Sequence, residues 1–178
     1  MYLKHFLTFL LLLFFLNLFV TDSKTSEKKT ETERSGYWTY YCENHEEIRQ
    51  CDIARKINIE QQNETFLIAY KITKDRNGKV KESFNIVTPP APRVDINKRL
   101  KISFDNKTKF TRSFIECESD GCLVIFKGSR MLKYSMKNSN KMKIIFYISG
   151  DKVPTSLTLS IDGFVQALNN ISQKLKAY

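Results

Sequence analysis

Residues 52–59 read DIARKINI. Ile53, Arg55, Ile57 and Ile59 alternate with Ala54, Lys56 and Asn58, a period of two that sends one set of side chains to a core and the other to water. The same half-buried pattern recurs where Leu100, Ile102 and Phe104 alternate with Lys101 and Ser103. Working outward, runs rich in Ile, Val, Phe, Tyr and Thr predict strands at 37–42, 52–59, 65–73, 83–87, 100–104, 108–116, 123–127, 132–136 and 141–148. Turn chemistry separates them at Asn77-Gly78, Asp105-Asn106 and Gly150-Asp151, and Pro89, Pro90 and Pro92 mark an edge or a crossing loop. Short strands at this spacing favour an all-β, two-sheet sandwich over a helical or α/β fold. The exception closes the chain. Ser160 is placed to cap a helix with Ile161, Phe164, Val165, Leu168, Ile171 and Leu175 on one broad face, expected to cover an open end or face of the sandwich.

Upstream of this body, Lys4 precedes an apolar run, Phe6 to Val20, broken only by Thr8 and Asn17, which is the pattern of a secretory signal. A helix of that length spans about 22 Å, short of the roughly 30 Å hydrocarbon core, so cleavage is favoured over a permanent membrane span. Thr21-Asp22-Ser23 is a weak version of the small-x-small cleavage pattern, and no cysteine follows for lipid attachment. The expected organisation is a signal peptide over 1–23, a flexible tether over 24–35 and one domain over 36–178. The tether assignment rests on TDSKTSEKKTETERS (21–35), which has no apolar residue whose burial could offset its ordering entropy.

Of 178 residues, 29 are Lys or Arg and 19 are Asp or Glu, a net charge of +10. Loss of the signal removes Lys4 and Asp22 and leaves that charge unchanged. Such a balance suits an acidic envelope or host-surface macromolecule, and nucleic acid is not expected because the lysines are spread along the chain. The candidate basic surface is Lys107, Lys109, Lys141 and Lys143, which alternation places on solvent faces.

Cys42, Cys51, Cys117 and Cys122 all lie beyond the signal, and an even number in an exported domain reads as two disulfides. The pairing Cys42–Cys51 with Cys117–Cys122 is preferred among three connectivities, because Glu118-Ser119-Asp120-Gly121 is turn chemistry that folds its flanking cysteines together. Zinc is disfavoured, since neither pair has the two-residue gap common in zinc knuckles, and no Cys-x-x-Cys redox motif occurs. No metal or cofactor is expected. His45, in the polar segment Glu43-Asn44-His45-Glu46-Glu47, lacks a second imidazole or thiolate. Asp105, Glu116, Glu118 and Asp120 are acid–base candidates by type alone, and each reads better as a turn or edge residue. No nucleophile elbow, phosphate-cradling loop or His-Glu-x-x-His helix is present, so no catalytic residue is assigned. The sequons at Asn63, Asn106 and Asn170 bear on structure only in a eukaryotic secretory pathway.

Taken in order, Tyr37-Trp38-Thr39-Tyr40-Tyr41-Cys42, Cys51, the Pro-containing 88–92, the Cys117–Cys122 hairpin with Gly121-Cys122, and Ser160-Ile161-Asp162-Gly163-Phe164 leading into Ala167-Leu168 resemble the invasion-associated locus B family. The resemblance covers 36–175, and it departs from the family pattern in having no glycine around Asn97-Lys98. It implies an immunoglobulin-like β-sandwich exported to the periplasm or envelope, without enzymatic activity, in a family whose members are implicated in host-cell entry. The resulting expectation is a non-enzymatic binding protein at the periplasm, outer membrane or host surface. The alternative is a periplasmic chaperone-like or acidic-polysaccharide-binding module. Oligomeric state is not encoded in any of these features.

Overall fold

Tyr40, Ile53, Tyr70, Phe84 and Phe126 stand opposite one another in neighbouring strands and form one transverse row of buried side chains. That row is the alternation of the sequence turned into a core face. The computed structural model describes residues 32–59, 64–91, 93–105 and 107–177. In chain order the elements are β1 (Glu33–Ser35), β2 (Trp38–His45), β3 (Ile48–Ile59), β4 (Glu64–Asp75), β5 (Val80–Thr88), β6 (Leu100–Phe104), β7 (Thr108–Arg112), β8 (Glu116–Glu118), β9 (Gly121–Lys127), α1 (Arg130–Lys137), β10 (Lys141–Phe146), β11 (Thr155–Ser160) and α2 (Phe164–Lys176).

All pairings between these strands are antiparallel, in a seven-stranded sheet ordered β1-β2-β3-β4-β5-β9-β8 and a four-stranded sheet ordered β11-β10-β6-β7. The two meet through their apolar faces. Phe66 of the large sheet lies 5.2 Å, ring to ring, from Phe146 of the small one. Another part of the large sheet is covered by α2, whose Phe164 packs edge-on against Trp38 at 5.3 Å and Tyr70 at 5.6 Å. Burying aromatic rings in these tilted and edge-on arrangements contributes about 0.5–1.5 kcal/mol per pair beyond area alone. The architecture is the expected all-β sandwich with a C-terminal helix.

It departs from the sequence reading in five places. Residues 132–136 form part of α1, not a strand: Ser129 Oγ accepts from Leu132 N at 3.1 Å, and Leu132, Ser135 and Met136 share the buried side. An inward Leu132 and Met136 satisfy a period of two as well as an i, i+4 spacing, and the exposed Tyr134 (67 %) decides for the helix. Lys133 of α1 pairs with Glu82, which also accepts from the buried Tyr70 hydroxyl at 2.7 Å, so the helix is anchored to β4 and β5. Residues 108–116 divide between sheets, β7 ending at Arg112 and β8 beginning at Glu116, because the chain crosses from one layer to the other over Ser113–Ile115.

Thr155–Ser160, unassigned in the sequence, is β11 and pairs with the whole of β10. Ser160 therefore ends a strand instead of capping α2: its Oγ accepts from Asp162 N at 3.2 Å, the helix begins at Phe164 after Gly163, and Val165 faces outward. The polar segment around His45 is no loop either, since β2 and β3 continue past Cys42 and Cys51 to the pair His45–Ile48, and Glu46 takes a left-handed φ of 47° in the tight turn.

Finally, Glu33–Ser35, assigned to the tether, is a strand paired with Trp38–Tyr40. Burial does not hold it; polar bonds do. Glu33 pairs with Lys174 of α2 and accepts from Tyr40 Oη at 2.7 Å. The Lys174 bond, reinforced by the Tyr40 hydroxyl, holds the Glu33 carboxyl below its ordinary range. The expected signal peptide, residues 24–31 of the expected tether, and the sequons at Asn63 and Asn106 lie outside the described residues.

Candidate functional site

The outward face of the small sheet follows directly from its register. Lys109, Ser103, Lys143 and Thr158 stand side by side across β7, β6, β10 and β11. The next row along the strands is Thr111, Lys101, Ile145 and Ser156, and Lys141 stands opposite Ser160 at the other end. Ser103 is buried, and the other outward positions carry lysine, serine, threonine and one isoleucine, with Asp105 at the edge beside Lys141 and Lys143. The opposite positions, Leu100, Ile102, Phe104, Met142, Ile144 and Phe146, are the core.

Three of the four candidate lysines, Lys109, Lys141 and Lys143, thus lie on one face. Lys107 sits at its margin, exposed in the β6–β7 turn. The structure adds Lys101, which the sequence reading had placed on the solvent side of its strand without connecting it to the others.

Asp105 fixes the edge of this face. At a left-handed φ of 43°, it accepts from Asn140 N at 3.0 Å through Oδ2 and from Lys141 N at 2.9 Å through Oδ1. These two backbone bonds, with Lys107 and Lys141 nearby, hold its carboxyl below the usual range. Its role is to pin the start of β10 to the end of β6. Glu116, Glu118 and Asp120 are exposed on the β8–β9 hairpin, in the other sheet, and do not converge with Asp105. His45 Nε2 lies 3.2 Å from Glu43 Oε2 on an exposed strand end. Among the described residues, no group of three or more His, Cys, Asp or Glu side chains could hold a metal ion.

The solvent face of the large sheet has a different chemistry. Leu67, Val87 and Leu123 form a partly exposed apolar row, and buried Asp52 accepts from Gln50 Nε2 at 2.7 Å. Burial, with Asp52 and Glu43 adding to it, pushes the Tyr41 phenol above its ordinary range. This face is mixed where the small-sheet face is mainly basic and hydroxylated, with Ile145 its apolar position and Asp105 at its edge.

Beside the basic face, an open cleft of about 920 Å³ lies between β1, the end of α1 and the first turn of α2, reached by Arg34, Lys137, Asn140, Ser160, Gln166 and Asn169. Its geometry depends on a backbone crossing. Gly36 and Gly163 both take left-handed φ values, 55° and 85°, and a Cβ on Gly163 would stand 2.2 Å from Ser35 O. The sequence pointed to the Ser-x-x-Gly-Phe segment only as a similarity; the crossing is the physical reason for glycine there. Arg34, Lys137 and Gln166 come from separate segments, and no spacing in the chain announces their meeting.

Both cysteine pairs are bonded within hairpins. Cys42 stands opposite Cys51 in β2 and β3, with Cα atoms 4.1 Å apart, and Cys117 opposite Cys122 in β8 and β9, at 4.0 Å. No free cysteine remains. Gly121 is packed so closely that a Cβ would lie 2.5 Å from Thr88 O, which accounts for the Gly-Cys pair at this hairpin. Among the described residues, no helix is long and apolar enough to cross a membrane.

Comparison with known proteins agrees with this arrangement. The crystal structure of invasion associated protein B from Bartonella henselae superposes with a TM-score of 0.69 at 21% identity, covering 83% of this chain and 99% of that one, and shares its fold. No curated protein matches the sequence. Residues 38–172 match the family described as Invasion associated locus B (IalB) protein, a span that contains both disulfides, the basic face and the Ser160–Phe164 segment, and the chain belongs to that family.

Proposed function

We propose that this protein is an exported, non-enzymatic binding protein of the cell envelope that meets an acidic macromolecule through the outward face of its four-stranded sheet. The observation that carries this reading is the face itself: Lys101, Lys109, Lys141 and Lys143 on one rigid surface, with Thr111, Ser156 and Thr158 beside them, and with the one carboxylate at its edge, Asp105, engaged by the backbone N–H groups of Asn140 and Lys141. Strands fix their side chains more firmly than loops do, so an extended polyanion finds its charges matched without ordering the protein. Two disulfides suit an oxidising compartment beyond the inner membrane. Family membership supports the export reading, and IalB is not a known enzyme family.

The test is binding of the purified domain to a uronic-acid polymer across a salt series. Affinity should fall as ionic strength rises past about 0.15 M, where the Debye length is about 8 Å. Charge reversal of two lysines in one row, Lys109→Glu with Lys143→Glu on either side of β6, should lower affinity at least tenfold and leave the thermal midpoint nearly unchanged, since neither side chain is buried. Binding indifferent to both salt and the reversals would overturn the assignment of this face.

A further inference from the structure

The cleft between β1, α1 and α2 adjoins the basic face. Asn140 and Ser160 line it, while their strand neighbours Lys141 and Thr158 line a smaller depression on the small sheet together with Asp105 and Lys143. Lys141 and Ser160 are opposite each other in β10 and β11, so the two hollows lie end to end along one pair of strands. An extended chain crossing the lysines runs into the cleft.

The cleft walls discriminate among acidic ligands. Gln166, Asn169 and Asn140 offer side-chain amides, each both donor and acceptor. Ser35, Ser139 and Ser160 supply hydroxyls, and Asp162 supplies a carboxylate that only accepts. Acceptors of this kind have no partner on a phosphodiester, an internal polyphosphate unit or a sulfate, whose oxygens carry no proton at neutral pH. They match hydroxyl groups. Arg34 and Lys137 add two cations suited to one carboxylate, Arg by a two-pronged contact and Lys as a point charge.

Among the described residues, no aromatic side chain lines the cleft, and its aliphatic lining comes down to Ile161, which is buried, and Val165. An apolar ligand therefore gains little there. A volume of about 920 Å³ falls in the range of small-ligand sites, roughly 300–1,000 Å³. It exceeds the needs of a lone anion.

From this juxtaposition we infer that the cleft is a recognition subsite for one hydroxyl-rich, carboxylate-bearing sugar unit of an acidic polysaccharide whose chain continues over the lysines of the small sheet. This deepens the proposed function and rests on it: the sheet supplies attraction, and the cleft supplies the choice of a uronic-acid type of unit over other polyanions.

The experiment compares a uronic-acid hexasaccharide with inorganic polyphosphate of matched charge, titrated calorimetrically into the domain. Two double variants are used, Gln166→Ala with Asn169→Ala in the cleft and Lys109→Glu with Lys143→Glu on the sheet. Gln166 and Asn169 are exposed, so their removal leaves the fold intact, which circular dichroism and the thermal midpoint verify.

The expected result is a loss of about tenfold in hexasaccharide affinity for the cleft variant with polyphosphate affinity unchanged, and a loss for both ligands in the sheet variant. In the unmodified domain, the side-chain amide resonances of Gln166 and Asn169 should shift with the hexasaccharide and not with polyphosphate. If the sheet variant weakens both ligands while the cleft variant weakens neither, the cleft inference falls and the basic-face reading survives. If neither ligand binds the unmodified domain, both readings fall together.

Discussion

Gly163 and Gly78 have nearly the same backbone angle, φ 85° and 79°, and opposite surroundings. A Cβ at Gly78 meets nothing within 4 Å, whereas at Gly163 it runs into Ser35 O and the Cα of Gly36, both backbone atoms that cannot turn aside. The pair therefore separates conformational cost from steric cost. Gly78→Ala should destabilise by about 1 kcal/mol, the penalty of a left-handed L-residue. Gly163→Ala should lose at least twice that amount, read as a larger drop in urea midpoint at unchanged slope. Equal losses would show that the crossing relaxes freely and does not shape the cleft.

At the scale of elements, the strands were most readable where one face meets the core and the other meets water. Residues 52–59 and 100–104 are strands, with Ile53, Leu100, Ile102 and Phe104 in the core and Lys56 and Lys101 in water as alternation predicts, although Ser103 is buried, and the same rule put Lys109, Lys141 and Lys143 outward. Reading failed where two periods coincide or where pairing replaces burial. Leu132 and Met136 fit both a strand and a helix, and the cap at Ser129 lay outside the segment being read. In β11, Leu159 is buried and Leu157 only partly so, too little pattern to stand against a helix start at Ser160. The cleft was illegible for another reason: its residues are brought together by tertiary contacts.

The hairpin disulfides also belong to this scale, each joining two directly paired residues at separations of 9 and 5. Closing loops so short stabilises by about 2–3 kcal/mol each on the chain-entropy account. Non-reduced peptide mapping of the protein should recover Cys42 with Cys51 and Cys117 with Cys122. A peptide joining Cys42 to Cys117, or four free thiols, would contradict that pairing.

Across the whole molecule, the start of the described chain is held to its end. Glu33 of β1 binds Lys174 of α2, Tyr40 Oη donates to Glu33 and accepts from Asn170 Nδ2 at 2.6 Å, and the Gly36–Gly163 crossing lies at the base of the same contact. Glu33 has a folded-state carboxyl below its ordinary value of 4.5, so its contribution is complete above that value and is lost as pH falls through the lower, folded one. Protection of the Glu33–Ser35 amides, measured as exchange relative to the intrinsic rate at each pH, should fall on acidification through the folded-state value of Glu33 before that of the central strands does, and Glu33→Gln should abolish that pH dependence. Protection that stays constant until global unfolding would remove Glu33 from the clasp.

The same clasp sets a schedule for the growing polypeptide. Synthesis runs from the amino terminus, so Trp38 is made 126 residues before its ring partner, Phe164. The disulfide hairpins need only their near neighbours and can close in passing. The finished sandwich has to wait for its final helix, and until then the nascent chain keeps a sticky, half-covered sheet in the care of whatever machinery is handling it.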